Sequence, residues 1–406
     1  MSVWLTVIGI GEDGLDGLSA AARALVESAE LLVGGERHLA LVPQGAAERI
    51  PWRQPLAATM EPVATHRGKR VVVLASGDPL WFGVAATLAR HFPPAEMLVL
   101  PQASAFSLAA ARLAWPIEDC VCLSLHARPL QALSLHLAPG ARLLALGEDG
   151  ETPVQVAELL RAQGWGPSAM TVFAQMGGPR ERRIDGSAES WPLGRVAALN
   201  TIAIHCKPGP KAKLLSRRAA LPDDAFEHDG KLTKRAVRAA TLAALAPVAG
   251  ELLWDVGAGS GAIAIEWLRS DRALAAIAID RDAARCGTAA RNAAALGVPD
   301  LRIVQGPAPA VLVGLPAPDA IFLGGGASDP LLWDALWRAL KPGGRLVANA
   351  VTLESEAQLL RWHARERGEL TRLAVSRAEP VGGYHGWRAL MTVTQLALTK
   401  PRSGAS

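Results

Sequence analysis

No stretch of about 18 uninterrupted apolar residues occurs in this 406-residue chain, although half of its residues are hydrophobic. Nothing in it therefore reads as a helix that crosses a bilayer. The first residues, Met1-Ser2-Val3-Trp4-Leu5-Thr6-Val7-Ile8, carry no basic leader and run directly into a glycine turn. They read as a first strand, not as a signal peptide. Cysteine is scarce, and Cys120, Cys122, Cys206 and Cys286 form no CxxC pair. Cys120 and Cys122 alternate along a strand-like stretch and read as packing residues, so no metal site is expected. A long basic run is missing too. With 42 basic against 38 acidic residues the net charge is +4, which does not demand nucleic acid and suits a small acidic substrate equally well. The expectation is a soluble, reduced, cytoplasmic protein with neither a membrane nor a nucleic-acid partner.

Apolar β-like runs alternate with longer helical patterns, the signature of α/β architecture. In the first half the runs at Trp4–Ile8, Val71–Ala75, Met97–Leu100, Val121–Ser124 and Arg142–Leu146 predict strands, as do Thr171–Gln175 and Thr201–His205. Ser19–Ser28, Phe82–His91, Ala103–Ala114 and Pro153–Gln163 predict helices. At Lys207-Pro208-Gly209-Pro210-Lys211 two prolines flanking a glycine interrupt the pattern. The chain is long enough for two domains, and the expected division is 1–207, a linker at 208–223, and 224–399. A helix from Lys234 to Leu245 opens the second domain, and the tail from Lys400 to Ser406 reads as frayed. The two halves carry different glycine signatures, which speaks against an internal repeat.

The sharpest signal is Asp255-Val256-Gly257-Ala258-Gly259-Ser260-Gly261, between the apolar run Leu252-Leu253-Trp254 and the helical run Ala262–Leu268. Glycines there let backbone approach a ligand with φ > 0, and a helix N-terminus presents free N–H groups. The next strand, Ala276–Asp280, ends in an acid that can accept two ribose hydroxyls. The spacing is GxGxG, not GxGxxG, and points to S-adenosylmethionine (AdoMet) over NAD. Candidate cofactor residues are Asp255, Gly257, Ala258, Gly259, Gly261 and Asp280.

The first half has a second glycine set. Gly9-Ile10-Gly11 follows the first strand, Ser76-Gly77-Asp78-Pro79 follows another, Ser104 opens an alanine-rich helix, and Thr152-Pro153 opens a further one. Together these segments resemble the tetrapyrrole methylase family across about residues 3–207. That resemblance implies two α/β subdomains with AdoMet folded in a trough between them. Ser76, Gly77, Asp78, Ser104 and Thr152 become cofactor-site candidates, and the Gly9–Gly14 loop would face the macrocycle. Glu12 stands where many relatives have proline. Ser124-Leu125-His126-Ala127-Arg128 resembles a Ser-x-His-Gly-Arg segment of the branch acting late in cobalamin synthesis, with alanine in place of glycine. His126 and Arg128 at a strand end can bind carboxylates or move a proton.

In the second half, Thr233-Lys234, Asp255–Gly261, Leu323-Gly324-Gly325-Gly326 and Asn349-Ala350-Val351-Thr352-Leu353-Glu354 resemble the precorrin decarboxylating methyltransferase domain, over about residues 224–397. That implies a Rossmann-like class I AdoMet methyltransferase. The Asn-Pro-Pro-Tyr tetrad of base N-methylating enzymes is absent, and three glycines leave room for a bulky ring. Thr233 is the expected N-cap of the helix that follows. Lys234 and Arg238 lie four apart, on one helical face, where two cations can clamp substrate carboxylates. Asn349 and Thr352 are further substrate-contact candidates. Gly306-Pro307-Ala308-Pro309 lacks the acid or Asn often found beside adenine.

Fused in this order, the two resemblances imply a bifunctional enzyme with one AdoMet site per domain, acting on a precorrin tetrapyrrole and assembling as a homo-oligomer. They imply methylation at C-5 and C-15 and loss of CO₂ from a ring C acetate. The reduced macrocycle supplies the nucleophile, and no convincing nucleophilic triad is visible. Two alternatives stand beside this one. An RNA or protein methyltransferase with an accessory domain would show tRNA binding with a steep salt dependence. A non-catalytic AdoMet sensor or tetrapyrrole carrier would bind AdoMet without turnover.

Overall fold

The computed structural model describes residues 3–192, 194–217 and 220–402. Residues up to Leu130 with Leu137–Lys213 form one compact unit, and Gln131–His136 with the chain from Leu214 onward forms a second.

The first unit holds two five-stranded sheets. Strands β1 (Leu5–Ile10), β2 (Leu31–Gly34), β3 (Glu48–Pro51), β4 (Val71–Ser76) and β5 (Met97–Leu100) make one sheet. Its order is β3-β2-β4-β1-β5 and every pair is parallel. Every residue of β1 is buried, as a parallel strand covered on both faces requires. Because Ile10 pairs with Ser76 at the strand ends, the turns that follow β1 and β4 leave the sheet side by side. The second sheet contains β6 (Cys120–Ser124), β7 (Arg142–Leu146), β8 (Ala169–Ala174), β9 (Arg182–Ser187) and β10 (Asn200–His205). Its order is β6-β7-β10-β8-β9, with only β6 and β7 parallel.

The second unit is built on β11 (Leu252–Val256), β12 (Ala275–Asp280), β13 (Arg302–Gln305), β14 (Ala320–Leu323), β15 (Arg345–Ala350), β16 (Glu369–Leu373) and β19 (Val393–Thr399). The order is β13-β12-β11-β14-β15-β19-β16. The first five are parallel, and β19 runs antiparallel to both β15 and β16. This is the Rossmann-like sheet that the second resemblance implies, and the expected α/β class holds for both units. Two apolar clusters flank it, one around Trp267, Leu253 and Phe322, the other around Trp254, Trp333 and Leu336. A separate hairpin, β17 (Ser376–Val381) with β18 (Tyr384–Ala389), makes a two-stranded sheet of its own.

Several local expectations need correction. Phe82–His91 is helical only over Ala85–Leu88. Phe82 has φ +57°, and a Cβ on Gly83 would lie 2.4 Å from the Pro79 carbonyl oxygen, so a tight turn occupies the start of that segment. Lys234, not Thr233, is the N-cap of the helix Arg235–Leu245, and no side chain caps it. The tail is anchored at its start: Lys400 Nζ donates to the Trp337 and Leu340 carbonyls at 2.6 and 2.7 Å, completing the C-terminus of the helix Pro330–Ala339. Residues 403–406 of that expected frayed tail lie outside the described residues. Cys206 and Cys286 are buried and all four cysteines are free. Burial pushes the Cys122 thiol to about 11 and Cys206 to about 12. No described helix is long and apolar enough to cross a membrane.

Candidate functional site

Each unit carries a cleft at the carboxyl ends of its parallel strands, where open α/β sheets bind ligands. In the first unit a cavity of about 540 Å³ is lined by Ser76, Gly77, Asp78, Ser104 and His126, among others. Backbone crowding shapes it. A Cβ on Gly9 would lie 1.8 Å from the Gly77 carbonyl oxygen, and Gly77 has φ +53°. Only glycine fits both positions, and their turns abut without side chains between them. Asp78 Oδ1 accepts the Leu80 N–H at 2.9 Å and shapes the turn. Ser104 caps the helix Ala105–Leu113 by accepting the Ser107 N–H at 3.0 Å.

Not every predicted residue reaches this cavity. Thr152 is 2 % exposed and does not line it. Its Oγ1 accepts the N–H groups of Glu148 and Asp149 and donates to Asp149 Oδ1, so it braces a turn and does not present its hydroxyl to a ligand. Arg128 also stands outside the lining, with its guanidinium 5.1 Å from the centre of the Phe82 ring, a cation–π contact. His126 Nδ1 lies 3.9 Å from Glu148 Oε1. Between them, Ala127 adopts φ +52°, the left-handed backbone that favours glycine.

In the lining Glu12 and Ser76 meet two residues that the motifs did not single out, Arg37 and His38. Arg37 pairs with Glu12, whose side chain is only 7 % exposed, and Arg180 approaches the same carboxylate at 3.6 Å. Arg37 Nη2 donates to Ser76 Oγ at 2.8 Å, and His38 Nε2 lies 2.9 Å from that oxygen. Burial, reinforced by the Arg37 charge, lowers His38 to about 4. No sequence motif marks Arg37 and His38, which sit on the five-residue helix Glu36–Ala40.

The second unit's cleft, about 600 Å³, is lined by Gly257, Ala258, Gly259, Asp280 and the Gly324–Gly326 segment. Gly257 has φ +73°, and a Cβ there would meet the Gly325 N at 2.6 Å. The two glycine turns therefore lie directly against each other and leave an open floor. Asp280, 7 % exposed, accepts the Gly259 N–H on Oδ2 and the Asp282 N–H on Oδ1, at 2.9 and 3.0 Å. Each carboxylate oxygen keeps a further lone pair for a hydroxyl donor. Gly306, Pro307 and Ala308 line the wall, backbone and aliphatic surface where an acid or Asn is often found.

Five second-unit expectations are corrected here, and one is refined. Asp255 does not line the cleft. It is 1 % exposed, its Oδ2 accepts the Ala264 N–H at 3.0 Å and its Oδ1 has no partner. It anchors the following helix from behind the turn, and burial pushes it up to about 7. Arg238 is fully buried. It bonds to Glu266 at 2.5 Å, Asp223 at 3.2 Å and the carbonyls of Leu221 and Thr233, leaving no exposed cation pair with Lys234. Asn349 does not line the cleft; it donates to Thr241 Oγ1 and accepts from Gln395 Nε2, both at 2.9 Å, and is turned into the sheet's flank. Thr352 caps the helix Leu353–Glu366, and neither it nor Lys234 lines the cleft; Thr233 and Lys231 do. Gly261, the refinement, does not itself line the cleft; it is the left-handed N-cap of the helix Ala262–Ser270 and lies close against Ala289. Among the described residues no cluster of three or more His, Cys, Asp or Glu is placed to hold a metal.

The family models agree with two different halves. Residues 4–191 match the tetrapyrrole (corrin/porphyrin) methylases, and residues 224–400 match the precorrin methyltransferase domain. A precorrin-6Y C(5,15)-methyltransferase [decarboxylating] of Sinorhizobium sp. is 49 % identical over 401 residues, covering 98 % of this chain and 97 % of that one. A cobalt-precorrin-7 C(5)-methyltransferase of Salmonella typhimurium is 32 % identical, covering 44 % of this chain and 88 % of the relative. A probable cobalt-precorrin-6B C(15)-methyltransferase (decarboxylating) of Pyrobaculum aerophilum is 34 % identical, covering 40 % of this chain and 87 % of the relative. With a tetrapyrrole-methylase fold in its first half, a Rossmann-like methyltransferase domain in its second and end-to-end identity near one half, the chain belongs to the decarboxylating precorrin-6Y C(5,15)-methyltransferase family.

Proposed function

We propose that this chain methylates precorrin-6Y at C-5 and C-15 and removes CO₂ from the ring C acetate, using AdoMet, in cobalamin (vitamin B12) biosynthesis. The observation that carries the reading is the near-complete alignment with a relative named for both methylations and the decarboxylation. Separate relatives, each matching under half of this chain, are named one for a C(5) methylation and the other for a C(15) methylation with decarboxylation. That supports a division of labour, with C-5 methylation in the first unit and decarboxylation with C-15 methylation in the second. In this reading the enzyme is cytoplasmic and self-associates as a homo-oligomer.

Each cleft has features suited to AdoMet. In the second, the Gly257–Gly259 backbone and the Asp280 carboxylate would hold its nucleoside part, and the glycines at 324–326 keep the floor clear for a flat ring. In the first, the turn at Gly77 and the helix start at Ser104 would hold it. Bound there, AdoMet supplies an electrophilic methyl group. The residues of the chain supply position, holding the ring carbon in line at near-attack distance, and take up the meso proton. For decarboxylation, the conjugated ring can absorb the electron pair left on the acetate carbon, so no further electron sink is needed. Withdrawing that carboxylate from water into the cleft favours its loss.

Incubation of the purified chain with precorrin-6Y and methyl-labelled AdoMet tests the reading. It predicts two methyl groups incorporated for each CO₂ released. One methyl per CO₂, or methylation of tRNA in place of the precorrin, would refute it.

A further inference from the structure

We infer that His38, acting through the Ser76 hydroxyl, receives the proton lost from the meso carbon methylated in the first unit's cavity. The inference rests on reading that unit as the C-5 methylating half.

The chemistry requires an acceptor. When the ring carbon forms its new bond to the methyl group, the methyl–sulfur bond breaks and its electron pair stays on sulfur. The ring carbon still carries its hydrogen. That C–H bond must then break, its electron pair returning to the ring conjugation and its proton passing to a base. Restoring conjugation makes the hydrogen acidic, so a weak base suffices, provided it is neutral and at hand.

The geometry supplies one. Ser76 and His38 both line the cavity, with Ser76 Oγ 2.9 Å from His38 Nε2. Arg37 Nη2 lies 2.8 Å from that hydroxyl oxygen and 2.9 Å from the same imidazole nitrogen. A guanidinium has donors only, so within this triangle the hydroxyl proton has a single acceptor, Nε2. The network thereby assigns Nε2 as the unprotonated nitrogen and Nδ1 as the N–H, an assignment from hydrogen bonding. Nδ1 is buried without a hydrogen-bond partner, leaving Nε2 as the nitrogen engaged in the cavity. Ser76 can take the meso proton while passing its own to Nε2. Burial and the Arg37 charge keep the imidazole neutral, and Glu12 holds Arg37 in place.

The other bases lining the cavity are less suited. Glu12 faces both Arg37 and Arg180, Asp78 is committed to the Leu80 N–H, and Glu148 accepts the Ala127 N–H. His126 is 70 % exposed at its side chain and is the principal rival.

The experiment compares full-length wild type with His38→Asn and Ser76→Ala, using precorrin-6Y carrying hydrogen or deuterium at C-5. For wild type, C-5 methylation is expected to show no isotope effect on kcat. In His38→Asn the C-5 kcat should fall by about 10²-fold and a deuterium isotope effect should appear, while the KM for AdoMet and the rate of CO₂ release hold. Ser76→Ala, which removes the relay hydroxyl from an exposed residue, should shift in the same direction and decides the matter if His38→Asn does not fold. Unchanged C-5 kinetics in the variants, slowing without an isotope effect, or an isotope effect that appears in His126→Asn instead would each overturn the inference. A wild type that leaves C-5 unmethylated overturns the reading of the first unit and the inference with it. Normal wild-type methylation with silent variants overturns the inference alone.

Discussion

Arg238 Nε lies 2.5 Å from Glu266 Oε1, and both side chains are buried. The same guanidinium reaches the carbonyls of Leu221 and Thr233 and stacks over Phe226, 4.9 Å from the ring centre. It thus ties the segment leading into the helix Arg235–Leu245 to the helix Ala262–Ser270. Removing one partner of a buried pair strands the other charge, at a cost of about 3–5 kcal/mol. Arg238→Ala should therefore lower the thermal unfolding midpoint while the enzyme that remains folded keeps its KM for the precorrin. A raised KM at unchanged stability would restore the exposed-clamp role.

Asp255 gives a pH dependence of definite sign. Its folded pKa is raised to about 7 by burial, with Asp280 nearby adding to the effect. Unfolded, the same carboxyl titrates near 3.9. Between those values the folded state binds more protons than the unfolded one, so stability falls as pH rises. The contribution is fully present below about pH 4 and is lost through about pH 7. Urea unfolding across this window should show the second unit weakening toward neutrality, beyond the shared drift of other groups. Asp255→Asn, which retains an acceptor for the Ala264 N–H, should flatten that part of the profile.

Ala127 occupies a left-handed conformation, φ +52°, at the place where the resembling segment carries glycine. A β-carbon there costs about 1–2 kcal/mol, and glycine's extra freedom in the unfolded chain returns about 0.4–1 kcal/mol of that. Ala127→Gly should stabilise the first unit by about 0.5–1 kcal/mol as measured by denaturant unfolding. His126 keeps its place in the cavity wall, so C-5 methylation should proceed at the wild-type regiochemistry.

Gly257 tests the second cleft by itself. A methyl group there would meet the Gly325 N at 2.6 Å on a backbone at φ +73°. Gly257→Ala should abolish C-15 methylation, leaving C-5 methylation intact. Product analysis by mass spectrometry with labelled AdoMet separates the two positions.

What the sequence disclosed follows a physical pattern. Glycine turns after apolar runs were legible at Gly77 and Gly257 because backbone crowding allows no other residue. Strands β1, β4 and β11 were legible because burial on both faces forces a largely apolar run. The direction of a polar side chain was not. Helical spacing put Lys234 and Arg238 on one face without saying that this face turns inward at Arg238. Asn349 sits on a strand of period two, and only its pairing with Gln395 across β19 fixes where it points. Thr152 carries a hydroxyl that a ligand could use, yet the turn at Glu148 and Asp149 consumes it. Arg37 and His38 carry no sequence signal for the opposite reason: their helix is one short turn with no motif, and they reach Ser76 only because β2, which precedes them, pairs with β4.

The central claim is that one polypeptide contains two independent methyl-donor clefts. Calorimetric titration of the intact chain with S-adenosylhomocysteine tests it most directly, alongside Gly257→Ala. Two sites per chain for wild type, with one retained in the variant, is the predicted result. A single site per chain that vanishes in Gly257→Ala would contradict it.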